Sequence, residues 1–200
     1  MPRFLSARVA DPKTEEVYEI ELAIDQLATL RETLTVEITA RRHSRDEKPQ
    51  EISATLSLDL ENRLIVVEIA GEEVGRISLD AKGIVEADDA DVDGAEEFFG
   101  SAWRAVRDNI LTERGDPVAD TVEDLIEAVP AFDPVLGCLL RGAISAVVPQ
   151  IIRCYRDIAP QHPEKWFLLG AIGRCLGEHG WRILGRASWR AFRCMMRGGM

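Results

Sequence analysis

Apolar and polar residues alternate through most of the first eighty positions. In residues 16–24, Tyr18, Ile20, Leu22 and Ile24 fall on one side of an extended chain, while Glu19 and Glu21 fall on the other. In 32–41, Leu34, Val36, Ile38 and Ala40 oppose Thr33, Thr35, Glu37 and Thr39. In 51–58, Ile52, Ala54, Leu56 and Leu58 oppose Ser53, Thr55 and Ser57. Each pattern predicts a strand with one buried and one wet face. Residues 64–69 are more apolar throughout, and 74–79 follow Ala70-Gly71-Glu72-Glu73, a hairpin turn by composition. Residues 4–9 add a weaker strand. Short connections favour an antiparallel meander of about five to six strands. Residues 25–30 are read as a helical turn or crossover.

The period changes after residue 93. Asp93 with Glu96 resembles a capping box, and Phe98, Phe99, Ala102, Trp103, Val106 and Ile110 follow at helical spacing. Asp120 with Glu123 repeats the device before Val122, Leu125, Ile126 and Val129, and Pro130 closes that helix. Asp133-Pro134 places a capping acid before a proline suited to a first helical turn. The helix that follows carries Leu136, Leu140, Ile144, Val147, Ile151, Tyr155 and Ile158 on one side, and Pro149 is expected to kink it. Pro163 opens a further helix through Trp166, Phe167, Leu169, Ile172 and Leu176, and residues 177–180 allow a break. The fold class is therefore α+β: an acidic antiparallel β domain over 1–80, an acidic linker over 81–92, and a helical domain over 93–200.

The last helix, 181–197, has the most regular pattern. Arg182, Arg186, Arg190, Arg193 and Arg197 recur at spacings of 4, 4, 3 and 4. At 100° per residue they share an arc of about 80°, with Trp189 at its edge. Ile183, Leu184, Ala187, Ala191, Cys194 and Met195 lie opposite, and no acid occurs among the last twenty residues. Like charges in one stripe repel, so a nearby negative surface is favourable. That surface is either the protein's own acidic portion or an external anion. Arg182, Arg186, Trp189, Arg190, Arg193 and Arg197 are the candidate anionic-surface-binding residues. A membrane surface or an acidic protein partner ranks ahead of nucleic acid, because tryptophan beside arginine suits the headgroup level of a bilayer. Homo-oligomerisation is left open.

Charge sharpens this division. The chain has 200 residues and a formal net charge of -11. Residues 1–100 hold 24 acids against 11 bases, and 101–200 hold 11 against 13. The excess of acid argues against wholesale nucleic-acid binding by bulk attraction. Cys138, Cys154, Cys175 and Cys194 form no CxxC, and are read as small buried hydrophobes in a reducing cytoplasm. The location expected is cytoplasmic, with peripheral contact at the membrane. The apolar run 134–152 is nearly long enough to span a bilayer, but it holds Arg141 and two prolines, which favours a core helix. Gly173 and Gly177 would permit close contact between helices.

No segment carries a recognisable catalytic motif. Asp89-x-Asp91-x-Asp93-Gly94 begins like a calcium loop, but Gly100 stands where the bidentate glutamate belongs. The basic turn Arg41-Arg42-His43-Ser44-Arg45 is read as a solvated connection. His43, His162 and His179 lack a nucleophile or carboxylate at a diagnostic spacing. The expectation is a non-enzymatic interaction or assembly protein with no cofactor and no metal. The alternatives are a small enzyme sited between sheet and bundle, or a nucleic-acid module using the arginine stripe and Arg174.

Overall fold

Six strands form where the alternation predicts them: β1 (Arg3–Ala10), β2 (Val17–Ile24), β3 (Leu34–Arg42), β4 (Gln50–Asp59), β5 (Leu64–Ile69) and β6 (Glu72–Ser78). The structure is a computed structural model that describes residues 2–25, 33–43, 48–93, 99–128, 133–162 and 164–198. Each strand pairs antiparallel with its sequence neighbours, in the order β1-β2-β3-β4-β5-β6, and Arg76 of β6 also bridges to Leu111. The register follows the polarity pattern. Leu5 faces Leu22, Leu22 faces Ile38, Ile38 faces Ala54 and Ala54 faces Ile69, making one buried apolar row across five strands. A slip of one residue in any strand would turn that row into water. The β5–β6 hairpin turns at Ala70 and Gly71, both with positive φ (53° and 82°), which a twisted two-residue turn requires.

Among the described residues six helices follow: α1 (Ile84–Asp93), α2 (Phe99–Asp108), α3 (Ala119–Ala128), α4 (Pro134–Ile158), α5 (Lys165–Glu178) and α6 (Gly180–Met196). The sheet followed by helices is the α+β arrangement expected. The expected crossover over 25–30, the basic-turn residues Ser44 and Arg45, and the helix boundaries at Pro130 and Pro163 lie wholly or mainly outside the described residues.

α4 is the axis of the molecule. Asp133 caps it, accepting from the Val135 N–H at 2.9 Å, and the same carboxylate accepts from the Tyr18 hydroxyl of β2 at 2.8 Å. One side chain thus starts the helix and fixes it to the sheet. α4 is long and apolar enough to cross a membrane by composition, but 89% of its most apolar window is buried by the rest of the protein. Core residues from β1 to α6 form one continuous cluster, from Leu5 through Val147 to Met195.

Two expectations are corrected here. Residues 81–92 hold most of α1 rather than a bare acidic connector. Composition misleads because two of that helix's acids, Asp88 and Asp91, face inward and are buried. The cysteines are not free thiols: Cys138 pairs with Cys194 and Cys154 with Cys175. The first bridge ties α4 to α6 and the second ties α4 to α5. Partners separated by 56 and 21 residues on different helices have no local spacing signature.

Candidate functional site

α6 lies along α4 through small residues. A Cβ on Gly142 would sit 2.9 Å from the Ala187 carbonyl oxygen and 3.1 Å from the Ala191 nitrogen, so glycine allows the backbones to approach. The Cys138–Cys194 bridge holds the same interface. Ile183, Leu184, Ala187, Ala191, Cys194 and Met195 are buried, as the helical period predicts. With that face fixed inward, the arginine stripe is divided along its length.

One flank of the stripe turns toward α1. The inward face of α1 is Ile84, Asp88 and Asp91, spaced 4 and 3 along the helix. Arg190 spans both acids: Nη2 donates to Asp88 Oδ1 at 2.6 Å, and Nε donates to Asp91 Oδ2. Its Nη1 donates to the Ser145 carbonyl of α4 at 2.6 Å. Arg186 Nη1 donates to Asp88 Oδ2 at 2.6 Å. Arg153 of α4 joins them, donating to Asp88 and Asp89 and, at 3.4 Å, to the Val85 carbonyl. Three guanidinium groups from two helices therefore converge on three carboxylates of a third. The Arg190 and Asp88 side chains are 2% and 0% exposed. Such charges tolerate burial only when paired and hydrogen-bonded on most sides.

The cluster shifts the groups inside it. Burial pushes the Asp91 carboxyl up to about 6, against the opposing attraction of Arg190. Burial also lowers the Arg186 pKa, despite Asp88 beside it. Asp91 Oδ1 has no hydrogen-bond partner among the described residues.

The other flank of α6 faces outward. Trp181, Phe192, Met196 and Trp189 fall within an arc of about 80°, and Arg182 and Arg193 continue it. Trp181, Trp189 and Met196 are 62%, 49% and 55% exposed. Trp189 stacks on Phe192 with centroids 6.1 Å apart, and the Arg193 guanidinium lies 4.7 Å from the Trp189 ring centre. That contact orients a cation along an aromatic face. Arg182 is exposed, and Arg197 is exposed at the C-cap.

The six candidate residues thus separate. Arg190 is inaccessible, and its inclusion in an external surface is corrected by burial against Asp88 and Asp91. Arg186 is 20% exposed and tied to Asp88. Arg182, Trp189, Arg193 and Arg197 lie toward the outside. Sequence reasoning missed Asp88, Asp91, Arg153 and Ser145 as partners. The signal available was the Ile84–Asp88–Asp91 spacing, which places two acids on the face that begins with an apolar anchor. Among the described residues, no group of histidine, cysteine, aspartate or glutamate is arranged to hold a metal ion.

Comparison with protein-family models, with curated proteins and with solved structures finds no match.

Proposed function

We propose that this protein binds an anionic membrane surface through the outward ridge of α6. The observation that supports the reading is the exposed set Trp181, Trp189 and Met196, bordered by Arg182 and Arg193 on one helix face. A solvated helix face has no need of two half-exposed tryptophans, and large exposed apolar side chains grouped on one element mark contact surfaces. Indole and thioether groups partition into the headgroup boundary, and guanidinium groups just above it meet lipid phosphates. The absence of acids from 181 onward leaves no like-charged residue on this helix to oppose an anionic layer.

The two disulfides bear on location. Paired cysteines persist in oxidising compartments and are reduced in most cytoplasms. They support a membrane face on the oxidising side over the cytoplasmic one.

Sedimentation with vesicles of anionic and of zwitterionic lipid tests the reading. Each arginine at an anionic surface is worth about 1 kcal/mol, so R182Q/R193Q should weaken binding roughly thirtyfold. W181S/W189S should weaken binding as well, through lost insertion. Binding that is equal for zwitterionic vesicles, or unmoved by either pair, overturns the proposal. Capture by an acidic polypeptide with no vesicle binding would replace lipid by an acidic protein partner.

A further inference from the structure

A cavity of about 250 Å³ opens beside the ridge, lined by Asp91, Gly185, Arg186, Trp189 and Arg190. Its lining is graded from outside to inside. Trp189 is half exposed at the mouth, Arg186 is partly exposed, and Asp91 and Arg190 are buried. Gly185 contributes no side chain, and a Cβ built there meets nothing within 4 Å. A larger side chain at residue 185 would have open space to enter. Its volume suits a group of a few heavy atoms and is smaller than a typical drug-sized pocket.

The lining offers two kinds of chemistry. Arg186 uses one N–H on Asp88, which leaves further donors of its planar fork. Arg182 on the preceding turn is close enough to act electrostatically on Arg186. Guanidinium donors of this kind match phosphate oxygens. Asp91 supplies the complement. Its side chain is 2% exposed, and Oδ1 is an acceptor with no partner among the described residues. A buried acceptor left unsatisfied is costly, and a hydroxyl donor would relieve it. A phosphate alone would leave Asp91 unserved, and a carboxylated group would meet it acceptor to acceptor.

We propose that this cavity binds a phosphate ester carrying a hydroxyl group, with the phosphate on Arg186 and the hydroxyl donating to Asp91 beside the Trp189 ring. The inference rests on the membrane reading for its source, a polyol-phosphate lipid headgroup, and deepens it from any anionic surface to one headgroup chemistry. A soluble polyol phosphate would present the same groups.

The test compares full-length protein on vesicles of phosphatidylglycerol and of phosphatidylmethanol. Both are phosphate diesters of the same charge, and only the first carries headgroup hydroxyls. One hydrogen bond to a buried charged acceptor predicts tighter binding to phosphatidylglycerol by roughly tenfold. Gly185→Leu places a side chain in the cavity beside Asp91, Arg186 and Arg190, replaces none of the ion-paired residues and improves helix propensity. It should bring the ratio of the two affinities to about one, with thermal stability retained. Soluble glycerol phosphate is added as a competitor while Trp fluorescence is followed. Competition at concentrations comparable to the lipid supports the cavity and reassigns its source to the soluble ester.

The outcomes separate the two claims. Vesicle binding with equal affinity for both lipids overturns the cavity and leaves the ridge. A fluorescence response to glycerol phosphate that Gly185→Leu abolishes, without vesicle binding, supports the cavity and overturns the membrane reading. A preference for phosphatidylglycerol that survives in Gly185→Leu overturns the cavity as its cause.

Discussion

Arg190 Nη2 donates to Asp88 Oδ1 at 2.6 Å in a position where neither side chain meets solvent. This contact joins the last helix to the first one after the sheet, across 102 positions of sequence. It holds the inner flank of the α6 arginine stripe against α1. Arg190→Met would leave Asp88 and Asp91 with less compensation in a buried setting. Breaking a buried pair from one side costs about 3–5 kcal/mol. Urea denaturation should register that loss, and vesicle binding by the folded fraction should persist. A stable Arg190→Met protein with abolished binding would instead place Arg190 on the contact surface.

How far the sequence reveals this arrangement depends on whether the decisive interaction is local. The strand pattern is local: Leu22 and its alternating neighbours select a buried face before any partner strand is known. The cap at Asp133 is local too. The amphipathic period of α6 correctly separates Leu184 and Ala191 from the arginines. The division within the arginine stripe is not local. It depends on α1 bringing Asp88 against Arg186 and Arg190, and α1 resembles a linker because its buried face is acidic. The disulfide partners are hidden for the same reason, since Cys194 meets Cys138 only when α6 lies on α4.

The Asp91 carboxyl titrates near 6 in the folded protein, against an ordinary value of 3.8. A raised carboxyl pKa means that the folded state holds this proton more tightly than the unfolded chain. Asp91 therefore favours folding increasingly as pH falls from about 6 toward 4, and this contribution is lost as pH rises through 6. Glu19 and Asp59 act in the opposite sense, since hydrogen bonds from His43 and Asn62 lower their pKa values. Their contribution is lost below the ordinary carboxylate range. The melting temperature should thus rise from pH 7 to pH 5 and fall under stronger acid. In Asp91→Asn the rise between pH 7 and pH 5 should disappear, as followed by calorimetry.

Thiol titration of the native, unreduced protein should find no reactive cysteine, because all four are bridged. Removing each bridge as a double alanine variant should cost different amounts. Loop-closure entropy for a separation of 56 residues gives about 4 kcal/mol, and for 21 residues about 3 kcal/mol. The Cys138–Cys194 bridge should be the more costly to lose, because it also clamps the α4–α6 interface. Equal denaturation midpoints for the two double variants would mean that the unfolded chain already restricts the longer loop.

Arg141 offers a stabilising substitution. It sits in α4 at 9% exposure, among Cys138, Leu140 and Ile144, and its Nε has no hydrogen-bond partner among the described residues. Arg190, at 1% exposure, is hydrogen-bonded to two carboxylates and a carbonyl. The two arginines should respond oppositely to the same change. Where Arg190→Met destabilises, Arg141→Met removes a guanidinium whose buried Nε has no partner among the described residues and leaves an unbranched apolar chain. Replacing buried ionic groups by apolar chains of similar volume is often neutral or stabilising. The expected result is a denaturation midpoint that is unchanged or raised, with vesicle binding intact because Arg141 lies on α4 and away from the α6 ridge. A marked loss of stability in Arg141→Met would show that the guanidinium stem fills space that methionine leaves empty, or that its charge is balanced within the fold.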